Sequence, residues 1–379
     1  MPYSKPCNMK FIIIIYIVIV CLCSCLTLTL AENLRKNADE STDSEFKLIL
    51  LNGVLDSEIT DVNAVAMSST GKIVYASSYV YGTSDKSYLY KSADYGKTWQ
   101  AITDVINVYN IATTPSGRIV YVTQVNDLVN LPAIDRRLLV LKSTDFGETW
   151  SISLQSGYTV AELNNYNPFP IVISSSGQHV YFSSSVLLTS NDYGESYIKH
   201  QLLRSDDNYY YDGYASPSGI AVSRTGRYAY YVNEHDFYAR STNYGSKFEL
   251  FPRTFLQRSY ASAVGCSESG KIVYIVDSSH GFIHKSNNFG YTFTKVSQIP
   301  TNPNTQYTSF NSIVTSKNGD IVYISNYYGP IYKSTDSAST FEELPLTNVP
   351  DNDKAYSVLS TNYKGDTLIF GYFQYREYN

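Results

Sequence analysis

The sequence predicts an all-β fold, a seven-bladed β-propeller of four-stranded blades whose last blade is completed by an N-terminal strand. Three observations predict it. The first is a segment of the form SxDxGxTW that recurs along the chain: SADYGKTW from Ser92, STDFGETW from Ser143, SNDYGESY from Ser190, STNYGSKF from Ser241, SNNFGYTF from Ser286 and STDSASTF from Ser334. The starts lie 51, 47, 51, 45 and 48 residues apart, a period that marks stacked supersecondary units. The second is an independent repeat: STGKIVY at Ser69, PSGRIVY at Pro115, SSGQHVY at Ser175, RTGRYAY at Arg224, ESGKIVY at Glu268, KNGDIVY at Lys317 and YKGDTLI at Tyr363. Each copy sets a Gly between two apolar runs, as a tight hairpin requires, and seven copies imply seven units. The third is composition. With 37 Tyr in 379 residues and only 17% charged residues, the chain suits pleated sheets better than helices, which draw on Ala, Leu, Glu and Lys.

The elements follow in chain order. Lys5 and Lys10 precede an apolar run over residues 11–30, which ends in Thr29-Leu30-Ala31 before the polar Glu32-Asn33. A basic start, an apolar centre and small residues before a cleavage point read as a secretory signal peptide over residues 1–31. The alternative is a retained anchor, because the run is long enough to span a bilayer. The bulk of the chain is then still expected outside. Residues 32–44 are polar and read as a flexible lead-in, and residues 45–379 as the propeller. Each unit reads as four short strands, in the fifth unit at 261–266, 271–276, 281–285 and 291–296, with the Gly hairpin joining the first two and the SxDxGxTW segment the last two. The last unit offers only 356–360, 367–371 and a short piece around 373–376. Residues 46–51 (FKLILL) have no partners of their own and are expected to complete it as an outer strand, locking the ring and protecting its edges.

Removing the leader changes the chemistry. Cys7, Cys21, Cys23 and Cys25 leave with it, so Cys266 remains alone and the core must be held by apolar burial. The 29 Lys and Arg against 34 Asp and Glu give −5, and loss of Lys5 and Lys10 makes the mature chain more acidic still. Nothing here favours nucleic acid, which is bound through Lys and Arg at phosphates. There is no phosphate-cradling Gly loop and no GxSxG, HExxH or CxxC motif, so neither a cofactor nor a metal is expected. The mature protein is expected to be a monomer.

The SxDxGxTW segments resemble the BNR or Asp-box repeat of sialidases, xyloglucan-type glycoside hydrolases, sortilin-type receptors and propellers that assist photosystem II assembly. The resemblance covers residue 46 to the C-terminus. It implies that Asp94, Asp145, Asp192 and Asp336, with Asn243 and Asn288 in their place in two copies, are structural residues of the turn. It also implies that any ligand sits on the face away from these turns. The local chemistry agrees, since Asp or Asn caps backbone N–H groups, Gly takes positive φ, and the closing Trp or Phe packs between sheets.

If the hairpins and boxes share one face, the second-to-third strand loops and the blade-to-blade connections share the other. Those segments vary in length, and variable loops on a rigid scaffold carry function. They hold the candidate binding residues Arg136 and Arg137, then Asp206, Asp207, Tyr209, Tyr210, Tyr211, Asp212 and Tyr214, then Glu234, His235 and Asp236, then Asp277 and His280. That face is acidic and Tyr-rich, and Tyr offers rigid apolar area with a hydroxyl for sugars or peptides. A sialidase would need an arginine triad and an early Arg-Ile-Pro segment, and Arg35 is the only Arg between leader and first box. A glycoside hydrolase acting on a neutral polysaccharide needs two facing carboxylates, and sequence spacing places no such pair. The reading is a secreted, noncatalytic module for an extracellular glycan or protein, with the glycoside hydrolase as alternative. A membrane enters only if the leader is retained.

Overall fold

The computed structural model describes residues 47–51, 61–79, 87–126, 137–159, 170–183, 187–200, 202, 217–233, 237–252, 261–277, 280–299, 310–326, 330–345 and 355–374. The leader and lead-in expected over residues 1–44 lie outside them. The strands run in repeated meanders. After β1 (Lys47–Leu50), the first blade is β2 (Asp61–Met67), β3 (Val74–Tyr79), β4 (Ser87–Ser92) and β5 (Gln100–Ile106). The second is β6 (Val108–Thr113), β7 (Val120–Asn126), β8 (Arg137–Ser143) and β9 (Ser151–Thr159). The third is β10 (Ile171–Ile173), β11 (Val180–Ser183), β12 (Leu187–Ser190) and β13 (Ile198–His200). The fourth is β14 (Pro217–Val222), β15 (Ala229–Asn233), β16 (Phe237–Ser241) and β17 (Glu249–Pro252). The fifth is β18 (Ala261–Cys266), β19 (Val273–Asp277), β20 (Phe282–Ser286) and β21 (Thr294–Gln298). The sixth is β22 (Phe310–Thr315), β23 (Val322–Asn326), β24 (Ile331–Ser334) and β25 (Glu342–Glu343). Each is an antiparallel sheet in sequence order. A last sheet has the order β1, β27 (Thr367–Gln374), β26 (Ala355–Thr361).

The described residues thus form a β-propeller of six four-stranded blades and one three-stranded sheet. That last sheet departs from expectation in two ways. Phe373 and Gln374 continue β27 instead of starting a third strand. The N-terminal strand does join the last sheet, but as its third strand, running parallel to β27 with Lys47 opposite Thr367 and Leu50 opposite Phe370. The physical reason lies in the seam it fills. Leu51 is fully buried and Ile49 packs beside it, in a cluster with Val62, Val74 and Ile369 that joins the last sheet to the first blade. Apolar burial on that side fixes which face β1 turns inward.

Between other blades the core is built the same way, from facing sheets. Tyr75, Leu89, Val120, Val122 and Trp150 share one such cluster between the first and second blades. The repeated Tyr completes it. Tyr75 donates its hydroxyl to the carbonyl of Gly117 at 2.9 Å, Tyr274 to Gly319 at 2.6 Å, and Tyr121, Tyr181, Tyr230 and Tyr323 reach Gly177, Gly226, Gly270 and Gly365 in the same way. Every one of these bonds runs from one sheet to the hairpin of the next. Burial raises each phenol well above its ordinary pKa, so all six are neutral donors. In the last sheet Ile369 takes the place of the Tyr.

Around the axis the hairpins are linked through their backbones. Tyr363 N–H donates to Ser69 O at 3.0 Å, Ser69 to Pro115 at 2.9 Å, Ser175 to Arg224 at 2.7 Å, Arg224 to Glu268 at 2.7 Å, Glu268 to Lys317 at 2.8 Å, and Lys317 to Tyr363 at 2.9 Å. The series breaks where Pro115, which has no N–H, faces Ser175. Gly226 illustrates why the hairpins need glycine: its φ is +81°, and a Cβ would lie 2.5 Å from the His179 ring of the preceding blade.

Candidate functional site

The two kinds of turn lie side by side. The N–H of Tyr95 donates to Lys72 O at 3.0 Å, Phe146 to Arg118 at 2.9 Å, Tyr193 to Gln178 at 2.9 Å, Tyr244 to Arg227 at 3.1 Å, Phe289 to Lys271 at 3.0 Å and Ser337 to Asp320 at 2.9 Å. Hairpins and boxes therefore share one face. The connections from second to third strand, and from blade to blade, start and end at the opposite loop face.

Within a box the acid serves its own turn. Asp94 Oδ1 accepts from the N–H groups of Lys97 at 3.1 Å and Thr98 at 2.9 Å and from the Ser92 hydroxyl at 2.8 Å, while Oδ2 accepts from the Thr98 hydroxyl at 2.6 Å. The Ser92 hydroxyl in turn accepts from Gly96 N–H at 2.9 Å. Asp145, Asp192 and Asp336 repeat the pattern with Thr149, Ser196 and Thr340. These bonds, led by the side-chain hydroxyl, lower all four carboxyls from 3.8 to about 2. Asn243 and Asn288 keep the turn without the charge. Asn243 Oδ1 accepts from Lys247 N–H at 3.1 Å, and Asn288 Nδ2 donates to the Thr292 hydroxyl at 2.9 Å, reversing the role Asp plays. Trp99 and Trp150 close their turns by donating Nε1–H to Gly96 and Gly147 at 3.1 and 3.0 Å. Among the described residues no three His, Cys, Asp or Glu groups converge as metal ligands.

In the first five boxes the residue before the box Ser reaches the next blade. Lys91 pairs with Glu148 at 2.8 Å, Lys142 meets Tyr193 O at 2.7 Å and Glu195 at 3.1 Å, and Lys285 meets Ser337 O at 3.2 Å. Among the described residues Arg240 is the largest fully buried side chain. It pairs with Glu249 at 2.8 Å and lies 3.7 Å from the centre of the Tyr291 ring.

Of the candidate binding residues, Arg136, Asp206, Asp207, Tyr209, Tyr210, Tyr211, Asp212, Tyr214, Glu234, His235 and Asp236 lie outside the described residues. Arg137 opens β8 opposite Asn126. Asp277 and His280 are brought together where β19 leaves the fifth blade. Asp277 is 1% exposed, and its carboxylate accepts from His280 N–H at 3.2 Å and lies 3.4 Å from His280 Nδ1. Gly281 N–H closes the same turn on Asp277 O at 3.0 Å. The imidazole of His280 stacks on Phe282 at 5.3 Å, leaving it half-exposed. His284 on β20 is buried within electrostatic reach of Asp277; burial lowers its pKa, opposed by the charge of Asp277. Sequence reading passed over His284, because a lone His inside FIHKS gives no sign of the carboxylate that only tertiary packing supplies.

On the hairpin face the axis opens into a cavity of about 220 Å³ lined by Ser69, Pro115, Ser175, Arg224, Glu268, Lys317 and Tyr363, one residue from each hairpin. Arg224 and Glu268 pair across it at 2.6 Å.

The fold defines the class, a β-propeller. Residues 89–102, which span the first box, match the family model for the BNR-Asp box repeat. No curated protein matches the sequence. Among solved structures, the chain is similar to the GH74 xyloglucanase from Xanthomonas campestris, with a TM-score of 0.61 and 14% identity over 83% of this chain and 51% of that one. The chain thus spans about half the length of that enzyme. It is also similar to YCF48 from Cyanidioschyzon merolae, with a TM-score of 0.54 and 13% identity over 84% of this chain and 96% of that one. At these identities the likeness is one of fold.

Proposed function

We propose that the chain is a secreted, noncatalytic binding module that holds an extracellular glycan or protein through the loop face of a seven-bladed Asp-box propeller, the three-stranded sheet being its seventh blade. The observation that carries this is the division of labour between faces. The recurrent box acids are consumed inside their own turns, whereas the segments that differ from blade to blade leave from the other side. Asp277, the candidate carboxylate of that side that the structure describes, is buried and held by His280, an arrangement that fixes a loop rather than offering an acid to a scissile bond. Secretion rests on the leader at residues 1–31, and the alternative of a propeller held outside by a retained leader keeps the same face available.

The test is a glycan array, with capture of extracellular proteins in parallel, using protein purified from cells expressing the full chain. Retention of a ligand that weakens when Tyr209, Tyr210 and Tyr211 are each replaced by Ala supports the reading. A ligand held equally well by those variants refutes the assignment to that loop. The glycoside-hydrolase reading requires a productive carboxylate pair, and release of reducing ends from a neutral polysaccharide is the result that would establish it.

A further inference from the structure

We propose that the hairpin-and-box face carries a second binding surface, across the fourth and fifth blades, for a polysaccharide whose sugars bear carboxylate or sulfate groups. The starting observation is backbone conformation. Tyr95, Phe146, Tyr193, Tyr244 and Phe289 all stand at φ between 58° and 66°, a left-handed region that disfavours bulky side chains. Ser337 occupies the same place in the sixth box at φ 61°, so the turn itself does not call for an aromatic ring. Strained residues retained against an available alternative mark function.

Four of these five aromatics also pair with a cationic residue, the exception being Tyr193, which faces Gln178. In the backbone pairs that join box to hairpin, Tyr95 faces Lys72, Phe146 faces Arg118, Tyr244 faces Arg227 and Phe289 faces Lys271, whereas Ser337 faces Asp320. Ring and positive charge are lost together in the sixth blade. An aromatic face stacks on a sugar ring, and an adjacent cation takes its anionic group.

The fourth and fifth blades concentrate this chemistry. They are the two whose boxes carry Asn243 and Asn288 where the others carry Asp, so the turns keep their hydrogen bonds and lose the negative charge. The carboxylates beside them are already neutralised, Glu249 by Arg240 at 2.8 Å and Glu268 by Arg224 at 2.6 Å. Tyr291 is 61% exposed while fully buried Arg240 supports its ring at 3.7 Å. That contact presents the outer face of the ring in one orientation, which lowers the ordering cost of binding. Tyr244 is 41% exposed and leans on His179 at 4.8 Å.

Three substitutions test the surface, each installing a residue the chain already uses at the same place in another blade: Tyr244→Ser as at Ser337, Tyr291→Ser as at Ser339, and Arg227→Gln as at Gln178. Purified wild type is titrated with polygalacturonate, dextran sulfate, neutral dextran and vesicles containing an anionic phospholipid, and thermal melts check that each variant is folded. The expected result is salt-sensitive retention of an anionic polysaccharide but not neutral dextran, weakened roughly tenfold or more by Tyr291→Ser or Arg227→Gln. Carboxylated and sulfated probes separate the two anionic groups. Absence of binding to both, binding unaltered by all three substitutions, or retention by vesicles alone would overturn the proposal. Loop-face variants leave this binding unchanged, so the outcome is independent of the function proposed above.

Discussion

Tyr274 and its equivalents do two things at once, filling the space between sheets and satisfying a buried hairpin carbonyl. Tyr274→Phe keeps the ring and leaves Gly319 O without its donor. The expected loss is about 1–2 kcal/mol in denaturant unfolding with an unchanged m value; no loss would mean the hydroxyl is not satisfying a buried group. The sequence made these tyrosines visible as a repeat but not as donors, because their acceptors lie in the next unit. Box acids behave differently. A carboxyl held at about 2 when folded, against 3.8 ordinarily, adds stability that is full above the higher value and lost as pH falls toward the lower. Asp192→Asn, which copies the natural Asn243, is therefore expected to lower Tm near neutral pH and to match wild type at about pH 2. An equal deficit at both pH values would contradict the assignment.

β1 is the element whose placement matters most. Ile49 and the adjoining Leu51 pack into the seam between last sheet and first blade, with Leu51 fully buried, and Leu51→Ala should cost about 2–5 kcal/mol. A smaller effect, measured by the same unfolding experiment, would mean that the ring does not depend on this closure. The membership of Lys47–Leu50 in the last sheet was legible because FKLILL is too apolar to stand alone and the last unit is short of strands. Its rank in the sheet was not, since pairing with β27 rather than with a separate third strand depends on β27 running on through Phe373 and Gln374. Hairpins and boxes were legible throughout, as Gly at positive φ and a hydroxyl–acid pair leave local signatures. Asp277 and His280 were named individually, but their mutual contact, and the nearby His284, required the fold.

At the scale of the whole molecule, the chain sets repeated turn geometry on one face and segments of varied length on the other. Backbone bonds run from Tyr363 to Ser69 and Pro115 and, beyond the break at Ser175, through the remaining hairpins to Tyr363 again, so the hairpin of the last sheet is tied to a neighbour on each side. Electron-microscopy class averages of the purified protein are expected to count seven blades; six would contradict the proposed ring. The central claim is that this ring binds without cleaving. The direct measurement is reducing-end release by the purified protein from xyloglucan and other neutral polysaccharides over long incubation. The account predicts no release above a heat-denatured control. Release that disappears when a single loop-face carboxylate such as Asp206, Asp212 or Glu234 is changed to its amide would contradict it.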